Sequence, residues 1–341
     1  MDNNQVTIHD IAAILKIDSS TVSRALNNSP RVANKTKDKI LKKAAELGYQ
    51  RNHLASNLRK SKNFTLGVIV PRISRHFFST AIAGIEETAF KAGYTLIICQ
   101  SLESFEREQS IVETLLANRV DGVLISISME TKNYDHLLGL KQRNIPYVFF
   151  DRHCNINENS NVLIDDFDAA FTATQHLIDQ KSTTIAHFAG PQNLEIYKNR
   201  FKGYKSALEK NNIVFNEELV FTSSLMEKDG KLNVQKMMNL PYIIDGLFCA
   251  NDVIAIGAIK YLKEINIKIP EDIAIVGFSN ESISSVIEPA LSTINQPGLE
   301  IGVAATELLI AKITNKGEKL KNETIIIKTS LIERKSSLRN S

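Results

Sequence analysis

The sequence predicts an α/β protein in which a small, all-helical N-terminal region precedes a larger region built on parallel β-sheets. Within residues 1–63, apolar residues recur at helical spacing in three short segments. Beyond Asn63, strand-like runs alternate with longer segments compatible with helices, which is typical of parallel sheets with right-handed crossovers. With 341 residues, 43% of them hydrophobic, the chain can bury cores of the size that this architecture needs.

The charge of the chain is divided unevenly between the two regions. The net charge is +3, but residues 1–63 carry +7 and the remainder carries −4. A small basic region beside a mildly acidic one indicates that the basic part binds a polyanion. Basic segments are often only solvated surfaces, so the residue pattern within 1–63 has to decide between such a surface and a polyanion-binding region.

The N-terminal region has the pattern of a helix-turn-helix. Thr7, followed by Asp10 three residues later, predicts a capping box at the start of the first helix. After a break at residues 16–18, a second helix is expected over 19–26, and a third runs to Leu47 before Gly48. The residues expected to face inward are Ile8, Ile11, Ala12 and Leu15 in the first helix, Val22, Ala25 and Leu26 in the second, and Ile40, Leu41, Ala44 and Leu47 in the third.

The outward face of the second helix carries side chains suited to reading DNA bases. Ser19 and Ser20 are short enough to let the helix N-terminus approach the major groove closely. Arg24, one turn later, can donate two hydrogen bonds to O6 and N7 of guanine. Thr21 and Ser23, with the N-terminal amides, suit phosphate groups. A solvated helix face is the alternative, but the cap, the inward face, the spacing and the basic excess agree on DNA binding.

Three runs of this region, Thr7–Ala12, Ser20–Asn27 and Leu47–Tyr49, resemble the headpiece of the lactose/galactose repressor (LacI/GalR) family. The resemblance continues through Leu66–Pro71 and reaches Leu331–Ser336, so it covers nearly the whole chain. It implies a transcription regulator, most often a repressor. It also implies that the larger region is a two-lobed domain like the type I periplasmic binding proteins.

The resemblance divides the chain into residues 1–49, a helix-turn-helix DNA-binding domain, and residues 64–341, an effector-binding and dimerisation domain. Residues 50–63 between them match the hinge helix and linker of the family. By position, Leu58 with Ala55 beside it takes the place of the residues that enter the minor groove. An apolar wedge there unstacks a base step, a cost that the wider contact with bent DNA offsets.

The larger region contains about ten predicted strands, which suit two lobes better than one sheet. The resemblance implies three crossings between the lobes, which we place near Asn161, Leu291 and Asn322. The first lobe is then about 64–161 plus 292–322, and the second is about 162–291 plus 323–341, including a C-terminal strand. The other strand-like runs are 64–71, 94–100, 122–127, 146–151, 161–165, 184–190, 219–223, 245–250 and 272–278.

Polar and aromatic residues that follow these strands form the candidate effector site, because ligands of doubly wound sheets bind beyond the carboxyl ends of the strands. Arg200 lies in a run, Asn199–Tyr204, that resembles a family motif whose arginine contacts the effector. The resemblance also assigns Asp151, Asn251 and Gln296 to effector positions. Each polar residue could instead cap a helix or bond a loop, and for Asp252 a helix start is the favoured interpretation. The residues considered are Ser74, Phe77, Phe78, Ser101, Asp151, Arg200, Asn251, Asp252, Ser279, Asn280 and Gln296, of which Phe77, Phe78, Ser101, Asp151, Arg200, Asn251, Ser279 and Gln296 are the predicted effector-binding set.

This set is typical of a cleft that binds the hydroxyl groups of a sugar-like ligand. Ser279 stands where the family often has an aspartate, which leaves room for a ligand with a negative charge, such as a sugar phosphate or acid, paired with Arg200. The chain has no Trp to stack on a pyranose face. Leu194 and Ile196 replace polar contacts of purine-sensing relatives, which argues against a purine.

The sequence gives no sign of an enzyme. The dinucleotide, Walker, nucleophile-elbow and zinc-protease motifs are absent, and the seven histidines show no metal-ligand spacing, so we expect no catalytic residue, cofactor or metal. A periplasmic sugar-binding receptor is the main alternative, but it needs a signal peptide. The N-terminus lacks a signal-peptide pattern, no run reaches the roughly 18 apolar residues of a membrane span, and the three cysteines are scattered. We therefore expect a cytoplasmic protein.

The expected partners are double-stranded operator DNA, a sugar-like effector and a second copy of the chain. A single headpiece buries too little surface for specific binding, so we expect a homodimer on a pseudo-palindromic operator. The tail after Arg334 has no leucine heptads and does not predict a coiled-coil tetramer. The effector can be an inducer or a corepressor, and a protein co-regulator is a further possibility.

Overall fold

The computed structural model of the protein describes residues 6–49, 63–154, 159–315 and 322–339. The chain divides into two compact units, Met1–Asn63 and Phe64–Ser341. Three helices form the described part of the first unit: α1 (Ile8–Leu15), α2 (Ser19–Leu26) and α3 (Asn34–Glu46). The predicted helix-turn-helix is therefore confirmed.

The ends of these helices are fixed by local hydrogen bonds. The capping box of α1 is confirmed, because the amide of Thr7 donates to Asp10 Oδ2 at 2.7 Å and Thr7 Oγ1 accepts from the amide of Asp10. At the end of α3, Gly48 adopts a left-handed φ of 63°, and the amide of Tyr49 donates to the carbonyl of Ala44 at 2.9 Å. This is a Schellman ending, which glycine adopts without steric cost.

A small core holds the three helices together. Ile11, Val22 and Ile40 are fully buried at its centre, and Ala25 and Ala44 complete the contact. The prediction that Leu41 faces inward is wrong, since its side chain is 47% exposed. Successive residues of a helix are about 100° apart, so a residue beside the buried Ile40 lies off the face that positions 40 and 44 define.

The larger unit contains two six-stranded sheets, one in each lobe. In the first lobe all strands are parallel, in the order β11-β5-β4-β3-β1-β2. These strands are β1 (Thr65–Val70), β2 (Thr95–Gln100), β3 (Gly122–Ile125), β4 (Tyr147–Phe150), β5 (Ser160–Ile164) and β11 (Thr324–Ile327). The helices of this lobe are α4 (His76–Lys91), α5 (Phe105–Ala117), α6 (Leu138–Gln142) and α11 (Gly298–Thr314), with a 3₁₀ turn at Asp135–Leu137.

The second lobe repeats this plan with one antiparallel strand. Its order is β12-β10-β9-β8-β6-β7, and β12 runs antiparallel to β10. The strands are β6 (Ile185–Ala189), β7 (Val220–Thr222), β8 (Gly246–Cys249), β9 (Ala274–Phe278), β10 (Ser292–Asn295) and β12 (Ser330–Ile332). The helices are α7 (Asp166–Asp179), α8 (Glu195–Lys210), α9 (Glu227–Met238) and α10 (Asp252–Glu264), with 3₁₀ turns at Glu217–Leu219 and Ser282–Ser285.

The three crossings between the lobes lie later in the chain than the sequence analysis placed them, near Asn161, Leu291 and Asn322. Strand β5 stays in the first sheet through Ile164, and β10 stays in the second through Asn295. Strand β11 pairs with β5, so the last crossing falls between Ile327 and Ser330. The expected lobe boundaries are thus each wrong by several residues, because a strand's sheet is decided by partners far along the chain.

Close packing of α4 on α11 fixes the start of α4 at the edge of the first sheet. A Cβ atom on Gly84 would meet the carbonyl of Leu299, and one on Gly302 would meet the carbonyl of Ala81. The two backbones therefore approach as closely as glycine allows. This contact holds Phe77 and Phe78, the first aromatic residues of α4, where the strands of the sheet end.

Candidate functional site

A cavity of about 360 Å³ lies between the two lobes. Its volume suits a small organic ligand. It is lined by seven of the eight residues predicted to bind an effector: Phe77, Phe78 and Asp151 from the first lobe, and Arg200, Asn251, Ser279 and Gln296 from the second.

The polar residues reach the cavity because each follows the carboxyl end of a strand. Asp151 follows β4, Asn251 follows β8, Ser279 follows β9 and Gln296 follows β10. Asn251 also caps α10, since its Oδ1 accepts from the amide of Ile254 at 2.9 Å and its Nδ2 donates to a neighbouring carbonyl. Asn251 therefore has both of the roles considered for such residues: it caps a helix and it lines the cavity.

A chain of hydrogen bonds links the two lobes across the cavity. Gln296 Nε2 donates to Asp151 Oδ1 at 2.7 Å, and Ser279 Oγ donates to Gln296 Oε1 at 3.2 Å. Burial raises the pKa of the Asp151 carboxyl group, while Arg152, Arg200 and the Gln296 hydrogen bond act in the opposite direction. These side chains offer both donors and acceptors to hydroxyl groups of a ligand.

Arg200 is buried at the back of the cavity and is already paired. Its Nε donates to Asp166 Oδ1 at 2.8 Å, and its Nη1 donates to the carbonyl of Ala250 at 2.7 Å. The guanidinium carbon lies 3.6 Å from the ring centre of Phe278. Burial raises the pKa of Asp166 to about 6 although Arg200 lowers it. Asp166 already balances the charge of Arg200 within the protein, and the remaining N–H groups of Arg200 can still donate to ligand oxygens. The pairing of Arg200 with a ligand anion stays a prediction.

Four residues considered in the sequence analysis lie outside this lining. Ser101 was placed in the effector-binding set, but it does not line the cavity: it directly follows the outer strand β2 and is fully buried, and its Oγ has no hydrogen-bond partner among the described residues. Its strand is at the edge of the sheet, away from the crossings where the lobes meet. Ser74 is exposed, and Asn280 bonds Asn295 instead.

Asp252, the fourth, is the first residue of α10 and is fully buried beneath the cavity. Its carboxylate accepts hydrogen bonds from Thr293 Oγ1 and Ser284 Oγ, both at 2.7 Å, and from the amide of Glu281 at 2.8 Å. These contacts agree with the favoured interpretation of Asp252 as a helix-start residue. The carboxylate ties α10 to the ends of β9 and β10.

Asp252 gives the stability of the larger unit a predictable dependence on pH. Burial raises the pKa of its carboxyl group from 3.8 to about 7, against three hydrogen bonds that favour the ionised form. The folded protein therefore holds this proton more tightly than the unfolded chain, so the contribution is complete below the unfolded pKa of 3.8 and is lost progressively as pH rises from there to about 7. Relative to Asp252→Asn, the wild-type free energy of unfolding should fall by at most about 1.4 kcal/mol per pH unit over this window. Urea denaturation at a series of pH values measures the difference, and a constant difference contradicts the assignment.

The cavity also has lining residues that the sequence analysis did not select. Arg72 and Arg75 also follow β1, where the prediction from strand ends named only Ser74, Phe77 and Phe78. Arg152 follows Asp151 and pairs with Glu103 at 2.7 Å. The full additional set is Arg72, Arg75, Glu103, Met129, Arg152, Ile196, Tyr197, Ser224, Met226, Lys228, Val253 and Glu281.

The second candidate surface is the outward face of α2 in the N-terminal unit. Ser20 and Arg24 are exposed there, one helical turn apart, whereas Ser19, Thr21 and Ser23 are half-buried. Within the described part of the chain, the Arg24 side chain makes no hydrogen bond or ion pair, so its guanidinium is available to a partner. Ala55 and Leu58, the predicted minor-groove residues, lie outside the described residues.

In the described ranges, no group of three or more His, Cys, Asp or Glu side chains is arranged to hold a metal ion. No helix in these ranges has the length and apolar character needed to cross a membrane. The three cysteines are free thiols, with Cys154 and Cys249 buried.

Comparison with known proteins places both units in one family. The model for bacterial regulatory proteins of the lacI family matches residues 7–52, and a periplasmic binding protein-like domain matches residues 174–337. A ribose operon repressor of Halalkalibacterium halodurans is 31% identical over 91% of each chain.

Among solved structures, a lac repressor dimer bound to operator and an anti-inducer has a TM-score of 0.86 at 25% identity, covering 98% of this chain and 100% of its own. A LacI family regulator from Enterococcus faecium with bound ribose has a TM-score of 0.71 at 27% identity, covering 81% and 100%. These relatives are repressors or transcriptional regulators, a class of proteins that are not enzymes, and this chain belongs to the lacI family of bacterial regulatory proteins.

Proposed function

We propose that this protein represses transcription by binding a pseudo-palindromic operator as a homodimer, and that a small sugar or sugar derivative controls the binding. The observation that carries the proposal is the combination, in one chain, of an exposed base-reading face on α2 with a polar cavity between two lobes. A protein with this function acts in the cytoplasm, where the DNA is.

The DNA half of the proposal rests on α2. Arg24 is exposed and unpaired among the described residues, and Ser20 is small, so the helix can enter the major groove with Arg24 reaching a guanine. One such unit makes too few contacts for specific binding, and two related by a two-fold axis read a two-fold symmetric site. The lac repressor neighbour is a dimer on its operator, which supports this arrangement. The wedge role of Leu58 and Ala55 stays a prediction.

The effector half rests on the cavity. Its polar lining suits hydroxyl groups, Phe77 and Phe78 provide apolar surface for a sugar ring, and a neighbour of the same fold holds ribose. A ligand shifts the equilibrium between lobe arrangements only if it binds one more tightly. Gln296 follows β10 directly beside a crossing, so a ligand that bonds it acts where the lobes pivot.

In vitro selection with the purified full chain tests the proposal. Random duplexes should be enriched for one sequence with two inverted half-sites, because two copies of α2 read the DNA. Light scattering of the complex should give the mass of two chains on one duplex. A parallel selection without protein is the control. Failure to enrich any sequence would sink the regulator assignment, and a single chain bound to one half-site would sink the dimer.

A further inference from the structure

Three cationic side chains that line the cavity form no ion pair with the residues that the structure describes. Arg72 and Arg75 lie between β1 and α4 in the first lobe, and Lys228 lies in the first turn of α9 in the second. Arg75 Nη2 donates to Met226 Sδ at 3.3 Å. Because Met226 lies two residues before Lys228, this contact joins the two lobes beside Lys228. In the described ranges, no carboxylate oxygen lies within 4.0 Å of a side-chain nitrogen of these three residues. We call Arg72, Arg75 and Lys228 the cationic end of the cavity.

The other charged residues of the cavity are engaged. Arg152 pairs with Glu103 at 2.7 Å, and Arg200 pairs with Asp166 at 2.8 Å. Glu281, which lies close enough to Arg75 to act on its charge, accepts the amide of His76 at 3.2 Å at the start of α4. The excess of positive charge is therefore confined to the cationic end.

Burial of the two arginines makes their positive charge costly unless a ligand balances it. Arg72 Nε is buried and has no hydrogen-bond partner among the described residues. Burial lowers the pKa of Arg75, with the charge of Glu281 opposing that change. Buried donors and charges are normally satisfied, so the unsatisfied Arg72 Nε beside the partly buried charge of Arg75 indicates a missing anionic acceptor at this end of the cavity.

We propose that the effector is a sugar derivative with one anionic group, a carboxylate or a phosphate, and that Arg72, Arg75 and Lys228 bind that group. This inference rests on the proposed function, since it specifies the ligand of the same cavity. Guanidinium groups donate paired hydrogen bonds to either anion. Because Arg75 and Lys228 belong to different lobes, the anionic group bridges the lobes and favours the arrangement that keeps these residues together.

Calorimetric titration of the full chain with matched ligands tests the proposal. The neutral sugars glucose, galactose and ribose are each compared with the corresponding sugar acid and terminal phosphate ester, and with inorganic phosphate. At least one acid or phosphate should bind about tenfold or more tightly than its neutral parent, since charge-assisted hydrogen bonds are added. The acid and phosphate arms identify which anion the site takes.

Variants separate the cationic end from the rest of the site. Arg72→Gln, Arg75→Gln and Lys228→Gln should each weaken binding of the charged ligand about tenfold and leave the neutral sugar little changed. Lys228 is exposed, so its variant keeps the fold even if an arginine variant does not. Lys231→Gln, on the same helix and paired with Glu264 at 3.2 Å, is the control and should bind like the wild type.

The outcomes distinguish this inference from the proposed function. Equal affinity for neutral and charged sugars, unchanged in Lys228→Gln, overturns the anionic ligand and leaves a neutral sugar effector in place. If no sugar binds, whether neutral or charged, the ligand class of the proposed function fails and this inference fails with it. Loss of selective binding in Lys228→Gln but not in Lys231→Gln supports the cationic end.

Discussion

Replacing Arg200 with alanine should lower the free energy of unfolding of the larger unit by about 3–5 kcal/mol. The substitution leaves Asp166 buried without its cation, removes a hydrogen bond to the carbonyl of Ala250, and empties the space over the ring of Phe278. Since burial already raises the pKa of Asp166 to about 6, the loss should be larger at pH 8 than at pH 5, where this carboxyl group is mostly protonated. Urea denaturation at the two pH values measures both effects.

Two further variants make this test specific. Adding Asp166→Asn to Arg200→Ala should recover part of the stability, because the orphaned buried charge is removed. Lys205→Ala, on the same helix, should cost less than about 0.5 kcal/mol, since the Lys205 side chain is 43% exposed and its ion pair with Glu209 is long, at 3.9 Å. If Arg200→Ala is no more destabilising than Lys205→Ala, Arg200 does not support the fold. Effector loss in Arg200→Ala alone would be ambiguous, because folding and binding are both affected.

Arg24→Ala should weaken binding to the selected operator by about 1–3 kcal/mol and relax the preference at one base pair in each half-site. Arg24 is exposed on α2, so its removal takes away base contacts without disturbing the helical core. The helix should therefore keep its place in the groove while losing one bidentate contact. Repeating the selection with the variant, and titrating single-base variants of the operator, measures both changes.

Lys42→Ala is the matched control for the loss of one positive charge. Lys42 is exposed on α3, outside the predicted reading face. Its removal should at most weaken binding to all sequences alike and reduce the slope of log affinity against log salt by about 1. An Arg24→Ala protein that selects the same sequence as the wild type rules out base reading by this residue.

The three helices of the N-terminal unit could be predicted from sequence because the signals for each helix are local. The Thr7–Asp10 capping box marks the start of α1, and the spacing of apolar residues within each helix places Ile11, Val22 and Ile40 in the core. In the larger unit, the nine strand-like runs were all found as strands, since each run is apolar and short. It was harder to predict which lobe each strand joins. Strand β11, for example, pairs with β5 across more than 150 residues, and no local sequence pattern indicates that pairing.

The candidate site could be predicted only where strand ends or family motifs identified residues. Asp151, Asn251, Ser279 and Gln296 were found in this way, and the structure brings them to one cavity. Ser101 was assigned by the same rule but does not line the cavity, because the rule does not distinguish the edge strand β2 from strands near a crossing. The pairing of Arg200 with Asp166 could not be read from sequence, since it depends on how α7 packs on α8.

The three crossings also govern the order in which the larger unit can fold during synthesis. Among the described strands, β11 (Thr324–Ile327) completes the first sheet and β12 (Ser330–Ile332) completes the second, so both lobes gain an edge only after these residues have left the ribosome. Arg339 then binds the carbonyls of Pro270 and Gln180, which were made much earlier. Neither lobe is a contiguous stretch of chain that can finish before the other. A nascent chain halted before residue 324 should therefore expose unpaired strand edges in both lobes, and such edges favour aggregation.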